Sequence, residues 1–296
     1  MKKTLPLLLA LSLLLSACIN LPATPTESGD GVATIVAATM QALNTPTPQA
    51  TETPSGALVS FQNVSFVIPQ GLALGANGEA IPEFSDDGVP WEVAPAHVRF
   101  TFFGYNDSMA RFGVTQISVY PMKEFAAINN GAAGNLPRLQ AILSMPDAPI
   151  GKDAMPRIPF FNAGPMFSAQ AQVIVFNGGA GAREITQYGQ AVGPASNGGT
   201  FYHFQGLTSD GKYYVIAILP IGASFLLPAN QLSGDDPNAA LPADGVPFPG
   251  YTSMNPADYE EYFQAVVDKL NAATPDAFTP SLALLDALIQ SITITP

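Results

Sequence analysis

From residue 57 onward, the hydrophobic positions fall first into short alternating runs and then into helical stripes. Ser60–Pro69 reads as an opening strand, bent at Asn63. His97–Phe103 alternates, with Val98, Phe100 and Phe102 on one face and Arg99, Thr101 and Phe103 on the other, as period-two strands do. Val114–Tyr120 and Gln172–Phe176 read as further strands. Asn177-Gly178-Gly179-Ala180-Gly181 reads as a turn, after which Ala182–Tyr188 returns. Thr200–Leu207 and Lys212–Leu219 make the clearest hairpin, because Asp210-Gly211 supplies the positive φ of a tight turn.

Helical spacing appears three times in this part of the chain. Asn135–Ser144 predicts a helix with Pro137 in its first turn and Leu136, Leu139, Ile142 and Leu143 as its apolar stripe. At Asn255-Pro256 the asparagine caps and the proline fits the first helical position. Asp258, Glu260 and Glu261 then sit at the positive end of the helix dipole. Tyr259, Tyr262, Phe263, Val266, Val267 and Leu270 follow as one stripe. A last helix from Thr279-Pro280 turns Leu282, Leu285, Leu288 and Ile289 inward, and Ser291–Thr295 closes as a short strand or extended tail. Hairpin-joined strands followed by terminal helices predict an α+β fold, a mainly antiparallel β-sheet backed by helices. Residues 57–296 read as a single α+β globular domain, although Gly/Pro stretches at 70–96, 146–170 and 221–254 leave the strand count open.

The first 56 residues follow a different pattern. Met1-Lys2-Lys3 is basic, Leu5–Leu15 is apolar apart from Pro6 and Ser12, and small residues follow. That order is a secretory signal, and its apolar run falls short of the ~20 residues that span a bilayer. Residues 18–56 read as a tether. Within it, Val32, Ile35, Val36, Thr39, Met40 and Leu43 recur at helical spacing, predicting a short helix at 31–43. A helix this short is marginal in water without packing. Residues 44–56 form a Thr/Pro-rich linker. Proline favours an extended polyproline II course near 3.1 Å per residue, a reach of roughly 40 Å.

Composition narrows the function classes. Of 296 residues, 47% are hydrophobic and only 11% charged, with 11 basic against 23 acidic and a net charge of -12. So acidic a chain carries no electrostatic footprint for nucleic acid. Its single cysteine makes no internal disulfide, zinc cage or iron–sulfur site. No cofactor or metal motif appears, and no catalytic one.

That single cysteine is Cys18, and Leu15-Ser16-Ala17-Cys18 resembles the lipobox of bacterial lipoproteins. The resemblance implies signal peptide 1–17, cleavage by signal peptidase II between Ala17 and Cys18, and a diacylglyceryl group on the Cys18 thiol with further acylation such as palmitate. Two or three acyl chains, at ~0.8 kcal/mol per buried CH₂, then hold the protein on the extracytoplasmic face of a cell membrane. The competing reading is an ordinary secretory signal, or an uncleaved anchor, with a chance cysteine.

Two further runs, Phe201–Val215 and Phe278–Ile292, resemble a group of bacterial lipoproteins of unknown function. That resemblance implies no catalytic residues. The opening Val64-Ser65-Phe66-Val67-Ile68-Pro69 and the order of elements are similar to the PsbP/Mog1 fold, whose members are mostly accessory or binding factors.

The remaining candidates weigh as follows. Gly178-Gly179-Ala180-Gly181 invites a phosphate-loop reading, but a β-rich run follows it where a helix is required. His203 and His97 lie on or before strands without a nucleophile or orienting partner in any motif, so structural roles are expected. Asp235, Asp236 and Asp244, or Asp86 and Asp87, offer oxygens for Ca²⁺ without EF-hand spacing. Tyr202, Phe204, Tyr213 and Tyr214 suit either a binding groove or a sheet core, and the core is the expectation. The leading reading is a lipid-anchored binding or accessory module for a protein, small-molecule or glycan ligand. Its rivals are an extracytoplasmic hydrolase whose carboxylates or histidines converge in the fold, and an assembly partner acting through helix 31–43.

Overall fold

Val64, Phe66 and Ile68 face one way from their strand, as Val98, Phe100 and Phe102 do from theirs, so both sets bury only if the strands stack face to face. They do so: the Phe66 and Phe100 rings meet edge to face at 4.9 Å. The structure is a computed structural model that describes residues 56–86, 89, 91–105, 115–151, 153–158, 162–229, 236–253 and 255–295. The lipobox with Ala17 and Cys18, the helix expected at 31–43, nearly all of the Thr/Pro linker, Asp87 and Asp235 lie outside them.

The elements, in chain order, are β1 (Gly56–Phe61), β2 (Val64–Pro69), β3 (Gly75–Ile81), β4 (His97–Phe103), β5 (Gln116–Pro121), α1 (Met122–Ile128), α2 (Asn130–Leu143), β6 (Gly164–Pro165), β7 (Ala169–Phe176), β8 (Gly179–Gly189), β9 (Thr200–Thr208), β10 (Tyr213–Pro220), β11 (Gly222–Ala223), α3 (Pro256–Ala272), β12 (Phe278–Thr279), α4 (Leu282–Gln290) and β13 (Thr293–Ile294). An eight-stranded antiparallel sheet runs β3-β4-β5-β10-β9-β8-β6, with β7 also on β8. It is two meanders, β3-β4-β5 and β7 to β10, joined where β10 returns to β5. A small sheet, β1-β2-β13, and the two-stranded β11-β12 complete the strands.

The large sheet is covered on both faces. Ala182, Phe201, Leu207, Tyr214 and Ile216 pack under α1 and α2 with Phe125, Leu139 and Leu143. Tyr202, Phe204, Val215 and Ile185 face the other way, toward α3, α4 and the small sheet. All nine residues of β9 are buried in consequence. The α+β class read from the sequence, an antiparallel sheet backed by helices, is what the chain adopts.

Several boundaries differ from expectation, each for a local reason. Ser60–Pro69 is part of a hairpin and not one bent strand: the chain turns at Gln62 and Asn63, and Val59 pairs with Phe66. Gln62 takes φ 52°, a region open to few side chains, which the apolar alternation does not reveal. The α2 helix begins at Asn130, because the Asn129 side chain accepts from the Ala132 amide at 2.9 Å and caps it there. Its first turn is small and polar, so the apolar stripe hides it, and Pro137 lies mid-helix instead of in the first turn. The two strands at the glycine run also start earlier, since only Asn177 and Gly178 turn. The helix α1 and the glycine-rich edge strand β3 went unread, one too short and the other too polar to leave a periodic signal.

The glycine run has a packing cause. A Cβ on Gly181 would stand 2.4 Å from the Gln205 carbonyl oxygen and 2.4 Å from the Phe204 ring. The Phe204 and Phe176 rings lie at 6.1 Å, edge to face, over the space these glycines leave. We expect Gly181→Ala to lower stability by about 1–3 kcal/mol, as overpacking does. In urea unfolding this appears as a lower midpoint at unchanged slope.

Candidate functional site

Successive residues of a strand face opposite sides of its sheet. Arg183 and Glu184 are successive residues of β8, each at most 3% exposed, so this strand sends one charge into each core layer. An isolated buried charge is expensive, and each must find a counter-ion in its own layer.

On the α3/α4 side, Arg183 Nε lies 3.2 Å from Asp286 Oδ1 of α4. The Tyr202 hydroxyl donates to the same carboxylate oxygen at 2.9 Å. Arg183 also donates to the Gln170 carbonyl. Gln170 itself takes φ 54° at an irregularity of β7, and its side chain donates to the Leu270 carbonyl at 2.8 Å, at the end of α3. This group ties both closing helices to the sheet. Burial pushes the Asp286 carboxyl above the usual range, against the opposing pull of Arg183.

On the α1/α2 side, the charge comes from the connection between α2 and β6. Residues 153–158 lie over the sheet here as a strap, with their own Met155 and Ile158 buried in the layer. Arg157 of the strap grips Glu184 with Nε and one terminal nitrogen, both at 3.2 Å. His203 of β9 lies beside it, Nδ1 3.5 Å from Glu184 Oε1. Gln205 follows on the same face of β9, its Nε2 at 3.2 Å from His203 Nε2, and the Tyr214 hydroxyl donates to Gln205 Oε1 at 2.6 Å. Gln205 Nε2 also donates to the Pro156 carbonyl, and Asn135 of α2 both donates to the Arg157 carbonyl and accepts from its amide. Burial raises the Glu184 carboxyl, but hydrogen bonds from His203 and Arg157 and their charges outweigh it and hold the group below the usual carboxylate range. Burial drives the Tyr188 and Tyr214 phenols upward, so both stay protonated.

The sequence candidates disperse. His203 acquires partners that no motif announced, Glu184 from β8 and Gln205 from its own strand. Glu184 and His203 are 0% and 1% exposed, so this acid–base pair is sealed from solvent. His97 lies on β4, away from the Glu184–His203 pair, Nδ1 against the Pro95 carbonyl at 2.8 Å and its ring on Tyr120 at 4.3 Å; burial lowers its pKa. Tyr202, Phe204 and Tyr214 are core residues, and Tyr213 is half-buried. Asp236 accepts from the Asn238 amide at 2.8 Å in a turn, while Asp244 pairs with Lys269 at 3.3 Å. Among the described residues no three His, Cys, Asp or Glu converge as a metal site. A solvent-open recess beside α3 is lined by Phe225, Leu241, Val246, Tyr262 and Lys269, with the Lys269 ammonium 4.9 Å over the Phe225 ring. Tyr262 accepts the Ala195 amide at 2.8 Å, and burial pushes its phenol up to about 12.

Sequence reading missed Arg157, Glu184, Arg183 and Asp286. A signal existed for two of them. In a chain this poor in charge, the Arg183-Glu184 doublet interrupts an otherwise uncharged strand.

No protein-family model, no curated protein and no solved structure matches this chain.

Glu184→Gln removes the counter-ion of Arg157 and is expected to cost about 3 kcal/mol at neutral pH, at the lower end for breaking a buried pair because Arg157 is 19% exposed. The pH dependence has a definite sign. A carboxyl lowered in the folded state contributes stability above its unfolded value of ~4.3 and loses it as pH falls through the folded value. The unfolding midpoint of the parent therefore drops more steeply below pH ~4 than that of Glu184→Gln, measured by urea titration at each pH.

Proposed function

We propose that this chain is a lipid-anchored, extracytoplasmic protein whose folded part serves as a binding or accessory module. The observation that carries the reading is Leu15-Ser16-Ala17-Cys18 directly after an apolar run, on the only cysteine of the sequence. The thioether linkage requires a thiol, and the cutting peptidase requires small residues before it. The acidic chain has no basic patch in its sequence to draw it to anionic headgroups, so acyl chains do the holding. The 18–56 segment then serves as a spacer between membrane and fold.

The module reading is supported by the fate of the ionisable groups. The Glu184–His203 pair is closed in, at 0% and 1% exposure, and among the described residues no three His, Cys, Asp or Glu converge. The hairpin entry through Val64–Pro69, the antiparallel sheet and the closing helix followed by β13 support the likeness to the PsbP/Mog1 fold, many of whose members are accessory factors.

The test is metabolic labelling with palmitate in a bacterial host, with and without globomycin. The parent chain is expected to take up label and to fractionate with membranes. Cys18→Ala is expected to lose the label entirely, and globomycin to leave an uncut precursor. Label that persists without Cys18 removes the anchor, and with it the reading.

A further inference from the structure

We propose that residues 31–43 of the tether fold back and dock by their apolar stripe on the end of the fold that the tether enters, against Leu58, Leu74 and Phe103. Such docking goes beyond the anchored-module reading and needs no lipid.

Leu74 and Leu58 are the two most exposed large apolar side chains among the described residues, at 78% and 73%, and Phe103 beside Leu74 is 45% exposed. All three belong to one end of the fold. Gly56, the first residue of β1, pairs with Pro69, the last of β2. Five residues on, the Leu74 amide donates to the Phe103 carbonyl at 3.0 Å. Leu58 stands two residues into β1, opposite Val67. Two glycines seat the side chains at β3 and β4. A Cβ on Gly104 would stand 2.3 Å from Leu74 Cγ, and one on Gly75 would stand 2.3 Å from the Phe103 ring. Leu74 therefore lies on Gly104 and Phe103 on Gly75. Apolar side chains already ordered in this way lower the entropy that an occupant loses on binding.

The chain that arrives at Gly56 supplies the occupant. Residues 31–43 lie outside the described residues. Their sequence carries no charge and sets Val32, Ile35, Val36, Met40 and Leu43 at helical spacing. A helix of that length extends ~20 Å and is marginal in water until its stripe packs on something. The Thr/Pro linker that follows has a reach of roughly 40 Å. Between Pro48 and Pro54 it has a proline-free run, at which the course can reverse onto Leu58 and Leu74. Tethered so closely, the stripe is present at an effective concentration on the order of millimolar. Charge disfavours other occupants. A chain of net charge -12 repels a second copy and an anionic bilayer alike, whereas an uncharged segment meets no such repulsion. Once docked, the segment shortens the spacer and brings the fold toward residue 18.

The test is hydrogen exchange of the full chain carrying Cys18→Ser, so that no acyl group is present, at about 1 μM. We expect the 31–43 amides to exchange at least ~tenfold more slowly than in the same chain with Leu58→Asp and Leu74→Asp. Both changes fall on exposed side chains, and equal protection of β9 and β10 reports an intact fold. Phe84→Asp, at an exposed apolar side chain elsewhere, should leave 31–43 protected. A nitroxide on Gln41→Cys in the Cys18→Ser chain should broaden the Leu58 and Leu74 methyl signals, and this readout decides alone if the double variant fails to fold. An unprotected 31–43 in the parent, protection that survives the double variant, or unbroadened Leu58 and Leu74 methyls would each overturn the docking. Protection that rises between about 1 and about 100 μM assigns the surface to a second copy and overturns it too. So does flotation with neutral phosphatidylcholine vesicles that the double variant abolishes, which assigns the surface to lipid.

Discussion

Two opposite charges on neighbouring residues of one strand set the constraint under which the rest of the fold is arranged. Arg183 and Glu184 cannot both reach solvent from the middle of a sheet covered on each face, and neither is tolerable alone in a core. The chain resolves this by bringing an opposite charge to each layer from a distant segment. Asp286 arrives on the last helix, and Arg157 arrives on the connection after α2. Layers that would otherwise slide on apolar contacts are thereby fixed at one point each. A buried pair of this kind is weak evidence for extra stability and better read as a device for specifying a unique packing. The hydrogen bonds of Gln170 to the end of α3 and of Asn135 to Arg157 reinforce that view, since both hold backbone whose position the charge pairs need.

Burial on both faces also explains the unusual composition. A strand covered on one side alternates polar and apolar residues; β9 and β10 do not, and the whole of β9 is enclosed. The low share of charged residues, 11%, accords with a large sheet covered on both faces and joined by Gly/Pro loops. The aromatic residues are consumed in these layers: Phe66 against Phe100, Phe176 against Phe204, Phe125 against Tyr214. Glycine at 181 is the counterpart of those rings, because a flat side chain lies down on a strand only where no Cβ stands up.

Much of this architecture was legible in the residues. The hairpin turned at Asp210-Gly211, the Val98–Phe100–Phe102 face and the Tyr262–Val266–Leu270 stripe are local signals, and each lies where its period placed it. What escaped depends on contacts between remote segments or on short polar elements. Nothing near Asn135 announces that its amide will hold residue 157, and nothing near His203 announces Glu184, whose strand is assembled beside it only by the sheet. The Tyr/Phe hairpin could be read either as groove or as core, and only the second layer of helices decides for core. The proposed lipobox is the reverse case, a resemblance carried by four residues and independent of the fold.

The order in which the small sheet closes has a consequence for how the fold is completed. β2 has β1 on one side, supplied at once by the preceding hairpin, and on the other β13, with Asn63 bonded to Thr295 across 232 positions of sequence. That open edge is filled only when the final residues have emerged, and α4, which carries the counter-charge for Arg183, comes nearly as late. Contacts of such long sequence separation form slowly. Until those segments meet, β2 keeps an unpaired edge and Arg183 an unmatched charge, so the small sheet and the α3/α4 layer are completed together.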